Sequence, residues 1–446
     1  MASQQVVSPL TAAEIAAVRK PYRAASLLPG RAYHDPTIHD FERREWFRRD
    51  WLIVGREEDA GAPGTYFRTT VDDEPIVVVR GRDGTLRAFY NVCRHRGTAV
   101  VEERCGTAVR FQCPYHAWIY DLEGRLVRAK HTEDLDDFTF DGFGLVPIRL
   151  ATWQGFVFVS LNPDGPELTP WLGDLIPHLG RFDFSTLRVG HEVAYEVEAN
   201  WKFIAENYSE CYHCPSIHPQ LNRLTPYDLG GDFAPDGPWQ GGWMELVDSA
   251  ETMAMDGGHR GSRPALPGIS PVDERRIYYY LVWPLAFLSI HPDYLLVHRL
   301  EPAGPDHTRV VCQWLFEPAT IAAPGFDPSD AIEFWDVTNR QDWHVCELQQ
   351  IGTRSRSWTA GRFSNQEPSV HAFDLMVVDR YAGDGFVSRR TVRERYDIPP
   401  PKPLDDGDPV GAVPLPRSAA RQASRRGTAG HAAGQPAGQT SRAKPR

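Results

Sequence analysis

Two patterns of apolar residues divide the chain. From Trp51 to about Asn162, β-branched and aromatic runs such as IVVVR (76–80) and FVFVS (156–160) alternate with breaks such as RDG (82–84) and LEG (122–124). Short runs punctuated by turn residues predict strands, hence a small all-β unit. From about residue 165 to 400, strand and helix patterns mix. Segments 277–290 (IYYYLVWPLAFLSI) and 294–300 (YLLVHRL) predict strands. Pro284 demands an edge, bulge or turn there, because proline brings no N–H to a ladder. Segment 329–350 (SDAIEFWDVTNRQDWHVCELQQ) predicts a helix of about six turns, capped by Ser329 or Asp330. Residues 1–40 read as a leader with some helical content. Beyond about residue 400, Pro, Gly, Ala, Ser and Arg follow one another without periodicity, which predicts a disordered tail. No internal repeat is present.

Length and composition leave room for two ordinary globular domains: 446 residues, 41% hydrophobic and 24% charged. No apolar run approaches the roughly 18–20 residues that span a bilayer. The N-terminus lacks a basic stretch followed by an apolar one, so no secretory signal is expected, and the cytosol is the expected compartment. The net charge of −11 is uneven, because residues 417–446 are basic and hold no acidic residue. The remaining body is therefore more acidic than the whole, which argues against nucleic acid as a partner. No membrane partner is expected either. Seven cysteines, an odd number in a reducing compartment, argue against a disulfide framework and favour metal ligation for some of them.

Four candidate ligands come first in the chain: Cys93-x-His95, seventeen residues, then Cys113-x-x-His116. Two loops each offer one thiolate and one imidazole, the ligand set of a [2Fe–2S] cluster with two cysteines on one iron and two histidines on the other. Zinc competes for the same residues, but its usual pairs are Cys-x₂₋₄-Cys and His-x₃₋₅-His, whereas both pairs here are mixed. Cys105, between the loops, is left out of the set.

The segment resembles the Rieske domain of the ring-hydroxylating oxygenase family. Respiratory Rieske proteins carry an extra cysteine in each loop, and the matching places here are Thr98 and Tyr115. The resemblance implies the lower-potential, oxygenase type.

A second constellation lies in NWKFIAENYSECYHCPSIHP (200–219), where Glu210 precedes His213 by three residues and His218 follows by five. Two imidazoles and one carboxylate on one face of Fe(II) leave sites open for O₂ and substrate. A helical turn would put Glu210 and His213 on one face. Pro215 and Pro219 then predict that the helix ends near Cys214 and that His218 returns from the next turn. Zinc on Cys211, His213, Cys214 and His218 is the rival reading. The segment resembles the mononuclear-iron motif of the same family. That resemblance implies that His213 and His218 bind iron and that Glu210 bridges electron flow from a neighbouring subunit's cluster. Glutamate in this context resembles the branch that oxidises glycine betaine and carnitine.

The third iron ligand must come from far along the chain. The carboxylates of 329–350 are Asp330, Glu333, Asp336, Asp342 and Glu347. At about 100° per residue, Asp342 shares a stripe with Trp335, Thr338, Val345 and Gln349, while Asp336 lies about 120° away and is expected to be solvated. The surrounding segment also resembles the betaine-demethylase pattern, and the iron-binding aspartate of that pattern falls on Asp342.

The resemblance, over roughly residues 40–385, implies an α+β chain with a small all-β Rieske [2Fe–2S] domain. The second domain would be catalytic, a helix-grip, START-like antiparallel sheet with helices. The implied division is an N-terminal segment (1–44) packing on the catalytic domain, the cluster domain (45–163), the mononuclear-iron domain (164–400) and a disordered basic tail (401–446). The cofactors implied are the [2Fe–2S] cluster and one Fe(II). Electrons would come from NAD(P)H through a separate reductase or ferredoxin, since no dinucleotide fingerprint opens a βαβ unit here. A homotrimer acting on a small molecule and O₂ is implied. The leading expectation is oxidative N-demethylation of a quaternary ammonium compound. Aromatic-ring oxygenation is the alternative, and a pure electron-transfer protein would need only the first ligand set. Trp239, Trp243, Tyr278, Tyr279, Tyr280, Trp283 and Phe287 are the candidate pocket aromatics, through cation–π attraction or stacking. Alternation within 278–280 keeps all three tyrosines from lining one pocket.

Overall fold

The computed structural model describes residues 7–233, 236–261, 263–386, 396 and 413–414. The fold is α+β, with a smaller all-β unit beside a larger sheet and its helices. The smaller unit holds a seven-stranded antiparallel sheet. Its order is Leu52–Arg56, Phe156–Ser160, Pro147–Trp153, Leu86–Tyr90, Glu74–Arg80, Thr65–Val71 and Cys105–Thr107. A three-stranded sheet, Phe111–Gln112, Ile119–Tyr120 and Leu126–Arg128, completes it. The run 76–79 is apolar at every position because both faces of its strand are covered. Ile76 and Val78 face the main core, and Val77 and Val79 face a second core with Phe89, Trp118 and Tyr120.

The larger antiparallel sheet runs in the order Arg188–Val197, His307–Phe316, Leu295–Gly304, Ala286–Ile290, Arg276–Val282, Trp239–Glu245, Gly230–Asp232 and Val413–Pro414. The 277–290 segment breaks at Pro284 into two of these strands. The last pair of residues falls in the segment expected to be without structure, yet it pairs with Gly231 and Asp232. The rest of 401–446 lies outside the described residues.

The long helix Ser329–Thr353 crosses this sheet, burying Phe334, Thr338, Asn339, Trp343, Cys346 and Gln350. Neither Ser329 nor Asp330 caps it; Pro328 holds the N-cap position without a side-chain bond. Asp330 turns inward instead and pairs with the buried Arg263 (2.5 and 2.6 Å). A buried guanidinium needs carboxylate partners more than an exposed helix end needs a cap.

The leader packs on the helical side of the sheet. Lys202, in the helix Trp201–Tyr208, forms a fully buried ion pair with Glu42 (Nζ to Oε1 2.5 Å). The Tyr33 hydroxyl donates to Glu206 of the same helix (2.7 Å). These bonds fix the helix that ends just before Glu210.

Candidate functional site

The two loops of the all-β unit have one conformation used twice. The Cys93 N–H donates to the Thr98 carbonyl (2.8 Å), and the Gly97 N–H returns to the Cys93 carbonyl (3.0 Å). In the second loop, the Cys113 N–H donates to Trp118 (2.8 Å) and the Ala117 N–H returns to Cys113 (3.1 Å). Gly97 (φ +77°) and Ala117 (φ +55°) occupy the left-handed position of each. This shared fold brings the Nδ1 atoms of His95 and His116 to 3.2 Å and buries both cysteines beneath them. The imidazoles stay at the surface. Trp118 stacks on His95 at 4.9 Å, and Tyr115 lies against His116. The Tyr120 hydroxyl, 3.3 Å from Cys93 Sγ, also accepts the Arg94 N–H. Two buried sulfurs opposite two converging imidazole nitrogens fit a cluster with unlike irons.

The second group forms where three elements meet, and the local structure differs from the helical expectation. The helix stops at Tyr208, and Glu210 and His213 lie in a tight turn rather than on one helical face. The Glu210 carboxylate closes that turn by accepting the backbone N–H groups of Tyr212 and His213. Cys211 and Cys214, 4.9 Å apart between Cα atoms, are joined as a disulfide across the same turn. The chain has no disulfide framework among the described residues, but it does carry this one local link, because the turn brings the two cysteines close whatever the fold does elsewhere. The link also leaves neither sulfur for zinc. A short helix, Cys214–Ile217, follows, and His218 caps its C-terminal end.

Asp342 arrives from the long helix. One ligand atom each from His213, His218 and Asp342 lies within 4.8 Å of the others. His218 Nε2 is 2.7 Å and His213 Nε2 3.3 Å from Asp342 Oδ1. Each imidazole uses its other nitrogen outward. His213 Nδ1 meets Glu210 Oε1 at 2.6 Å, and His218 Nδ1 meets Gln341 Oε1 at 2.7 Å. Gln220 Nε2 donates to the same Gln341 oxygen (2.7 Å). This is the arrangement that orients histidines toward a metal. Burial works against charge on His213, but Glu210 and Asp342 override it and lift its pKa to about 10. Burial likewise opposes charge on Asp342, yet the two histidines hold it down at about 2. Once a metal displaces the extra His213 proton, two imidazoles and one carboxylate suit a divalent ion with open positions. The other acids of that helix do not join them: Asp330 pairs with Arg263, while Asp336 takes the Tyr195 hydroxyl (2.7 Å) and Arg340 (2.9 Å).

The candidate aromatics divide by strand register. Phe287 pairs across the ladder with Leu281 and His298, and Tyr279 pairs with Ser289. Opposite residues share a face, so Tyr279 and Phe287 point to the helix side. Tyr278, Tyr280, Trp239 and Trp243 point to the other side, where Phe182, His178 and Phe233 cover them. Trp283 packs with Trp46 and Trp201. Sequence reasoning missed Tyr208, which stacks on Phe287 at 4.1 Å, and the His298–Asn339–Trp343 group beside Asp342. No local motif marks these residues, since they come from three elements: the helix Trp201–Tyr208, the strand Leu295–Gly304 and the long helix.

Residues 50–139 match the family model of the Rieske [2Fe-2S] domain, and residues 184–383 that of the ring hydroxylating alpha subunit catalytic domain. The glycine betaine monooxygenase oxygenase subunit of Chromohalobacter salexigens is 31% identical over 391 residues, covering 81% of this chain and 86% of the relative. The carnitine monooxygenase oxygenase subunit of Acinetobacter pittii is 32% identical over 331 residues, covering 73% and 85%. A solved quaternary ammonium Rieske monooxygenase, described with carnitine oxidation and inter-subunit electron transfer, superposes with a TM-score of 0.70 at 24% identity. That match covers 84% of this chain and 100% of the other. Naphthalene 1,2-dioxygenase from Rhodococcus sp. gives 0.66 at 20%, covering 80% and 95%. At these identities the structural likeness speaks to the fold alone.

Proposed function

Since the chain belongs to the Rieske-type, ring-hydroxylating family of non-haem iron oxygenases, we propose that it is the oxygenase component of an N-demethylating monooxygenase acting on a small quaternary ammonium compound. The carrying observation is that one chain holds both donor sets, Cys93/His95/Cys113/His116 and His213/His218/Asp342. An electron carrier has no use for the second. Bound there, the cluster supplies stored electrons and the mononuclear iron supplies O₂ activation.

The chain's own residues do the rest. Buried Cys93 and Cys113 would hold one iron away from water, and the exposed imidazole edges of His95 and His116 would give electrons a way in from a separate reductase or ferredoxin. Glu210 orients His213 and holds its Nδ1 proton; Gln341 does the same for His218. Glu210 would pass electrons across a subunit interface in a homotrimer, a reading supported by the inter-subunit transfer described for the similar solved enzyme. The same reading divides the chain into a cluster domain over 45–163 and an iron domain over 164–400. It also places the protein in the cytosol. Among the described residues, no helix is long and apolar enough to cross a membrane.

The substrate class rests on the glycine betaine and carnitine relatives and on the ring stack of Tyr208 and Phe287 near the iron ligands, which suits a trimethylammonium group. Oxygen uptake tests it, with iron-loaded protein, a surrogate reductase and NADH. The panel is glycine betaine, choline, L-carnitine, benzoate and naphthalene. Formaldehyde release from a quaternary amine is the expected result. Diol from an arene with no aldehyde would replace the substrate class with aromatic-ring oxygenation.

A further inference from the structure

Beside Asp342, a chain of hydrogen bonds fixes the proton position on one buried imidazole. It begins at Asp336, whose carboxylate is held by Arg340 and accepts the Tyr195 hydroxyl proton (2.7 Å). With its proton committed there, the Tyr195 oxygen can only accept, and the Asn339 amide lies beside it. The Asn339 amide nitrogen also faces Cys312 Sγ (3.6 Å). Its oxygen must then face the other way, toward His298 Nε2 at 3.2 Å. That oxygen only accepts, so His298 carries its proton on Nε2, and Nδ1 keeps a bare lone pair.

The Nδ1 atom is buried and has no hydrogen-bond partner, in a residue 3% exposed. Burial keeps the ring neutral by pushing its pKa down to about 4, against the pull of Asn339 and Asp342. Around it stand Phe287, Tyr208 and Trp343, with ring centres 6.1, 6.2 and 6.4 Å away. A buried acceptor left without a donor costs free energy, and natural structures rarely leave one unexplained.

Resting on the substrate class above, we propose that His298 is a specificity-determining residue whose Nδ1 accepts a hydrogen bond from a hydroxyl group of the substrate, so that the site prefers hydroxylated quaternary amines. Asn339 and Tyr195 act through it as positioning residues. Glycine betaine offers no donor; choline and carnitine do. Discrimination against an analogue lacking only the hydroxyl is then large, because that analogue leaves Nδ1 unpaired in the closed site.

Calorimetric titration of the oxygen-free holoenzyme tests this without turnover. The probes are two matched pairs, L-carnitine with γ-butyrobetaine and choline with ethyltrimethylammonium, which differ by one hydroxyl each. The wild-type protein should bind the hydroxylated member at least about tenfold more tightly in one pair or both. His298→Phe should bring that ratio to near one while keeping the deoxy compound bound. Equal wild-type affinities within both pairs would overturn the assignment and leave the substrate class standing, whether or not the variant folds. Survival of the preference in a folded His298→Phe protein would overturn it too. Absence of binding by all four compounds would overturn this inference too, while turnover of glycine betaine decides the substrate class separately.

Discussion

Glu210 and His213 meet through a 2.6 Å contact between carboxylate Oε1 and imidazole Nδ1, across a turn closed by that carboxylate's own backbone bonds. The contact decides which imidazole nitrogen is left for the metal, since His213 Nε2 then lies 3.3 Å from Asp342. Glu210 thus touches the His213/His218/Asp342 group without joining it.

Glu210→Gln keeps an oxygen for the His213 Nδ1 proton and removes the charge. Iron content should stay near wild type while transfer from the reduced cluster slows by about tenfold or more, read as cluster reoxidation in a single turnover. Glu210→Ala loses the orienting bond as well, and its metal affinity should fall roughly 10–100-fold. An Ala variant with full iron and full transfer rate would show that Glu210 does neither job.

Asp342→Ala should lower the iron content from about three to about two per chain, counting a cluster plus one mononuclear ion. The visible spectrum of the cluster should persist, and substrate-dependent oxygen uptake should vanish. Elemental analysis beside that spectrum checks it. Loss of all iron together would mean that the two groups are not independent sites.

Gly97 sits at φ +77° with open space where a Cβ would stand, while its counterpart Ala117 already pays the left-handed cost at φ +55°. Gly97→Ala should therefore destabilise the cluster loop by roughly 1–2 kcal/mol from backbone conformation alone. Ala117→Gly should be neutral or slightly stabilising. Urea unfolding followed at the cluster absorbance measures both, and a neutral Gly97→Ala would contradict the shared loop conformation.

Glu206 is fully buried, and burial lifts its pKa from 4.5 to about 7 although Tyr33 and Lys202 pull it down. A raised folded-state value means that the folded protein binds the proton more tightly than the unfolded chain. Its contribution to stability is complete below the ordinary value and is lost as pH rises through about 7. The slope from this one group is at most about 1.4 kcal/mol per pH unit. Glu206→Gln should flatten stability between about pH 5 and pH 7, seen in denaturant melts. An unchanged slope in that variant would mean the proton sits elsewhere, on Asp374, whose carboxyl burial also raises.

The groups that converge were legible where spacing does the work. Cys93-x-His95 and Cys113-x-x-His116 announce themselves because each pair belongs to one short loop, and loop geometry is a local matter. The helical period placed Asp342 less well than the resemblance did: of Trp335, Thr338, Val345 and Gln349 only Thr338 is buried, and the buried face runs instead through Phe334, Trp343 and Cys346. Local reasoning failed at 210–213, where a carboxylate capping its own turn, with Cys211 joined to Cys214, outweighed helix continuation. It failed again at Asp330, where a buried arginine far away in sequence claimed the side chain that the helix pattern assigned to a cap.

By itself, then, the sequence determined the two candidate donor sets, the all-β and mixed halves, and the long helix that carries Asp342. Only the tertiary structure decided which aromatics share the sheet face with His298, beside the long helix. Strand register assigns Tyr279 and Phe287 to one face and Tyr278, Tyr280, Trp239 and Trp243 to the other, and no one-dimensional pattern records which face the long helix will cover. The same holds for Tyr195, Asn339 and His298, which come from two strands and a helix. Their hydrogen bonds exist only once the sheet and helix have packed, so the proton position on His298 is a property of the fold and not of any motif.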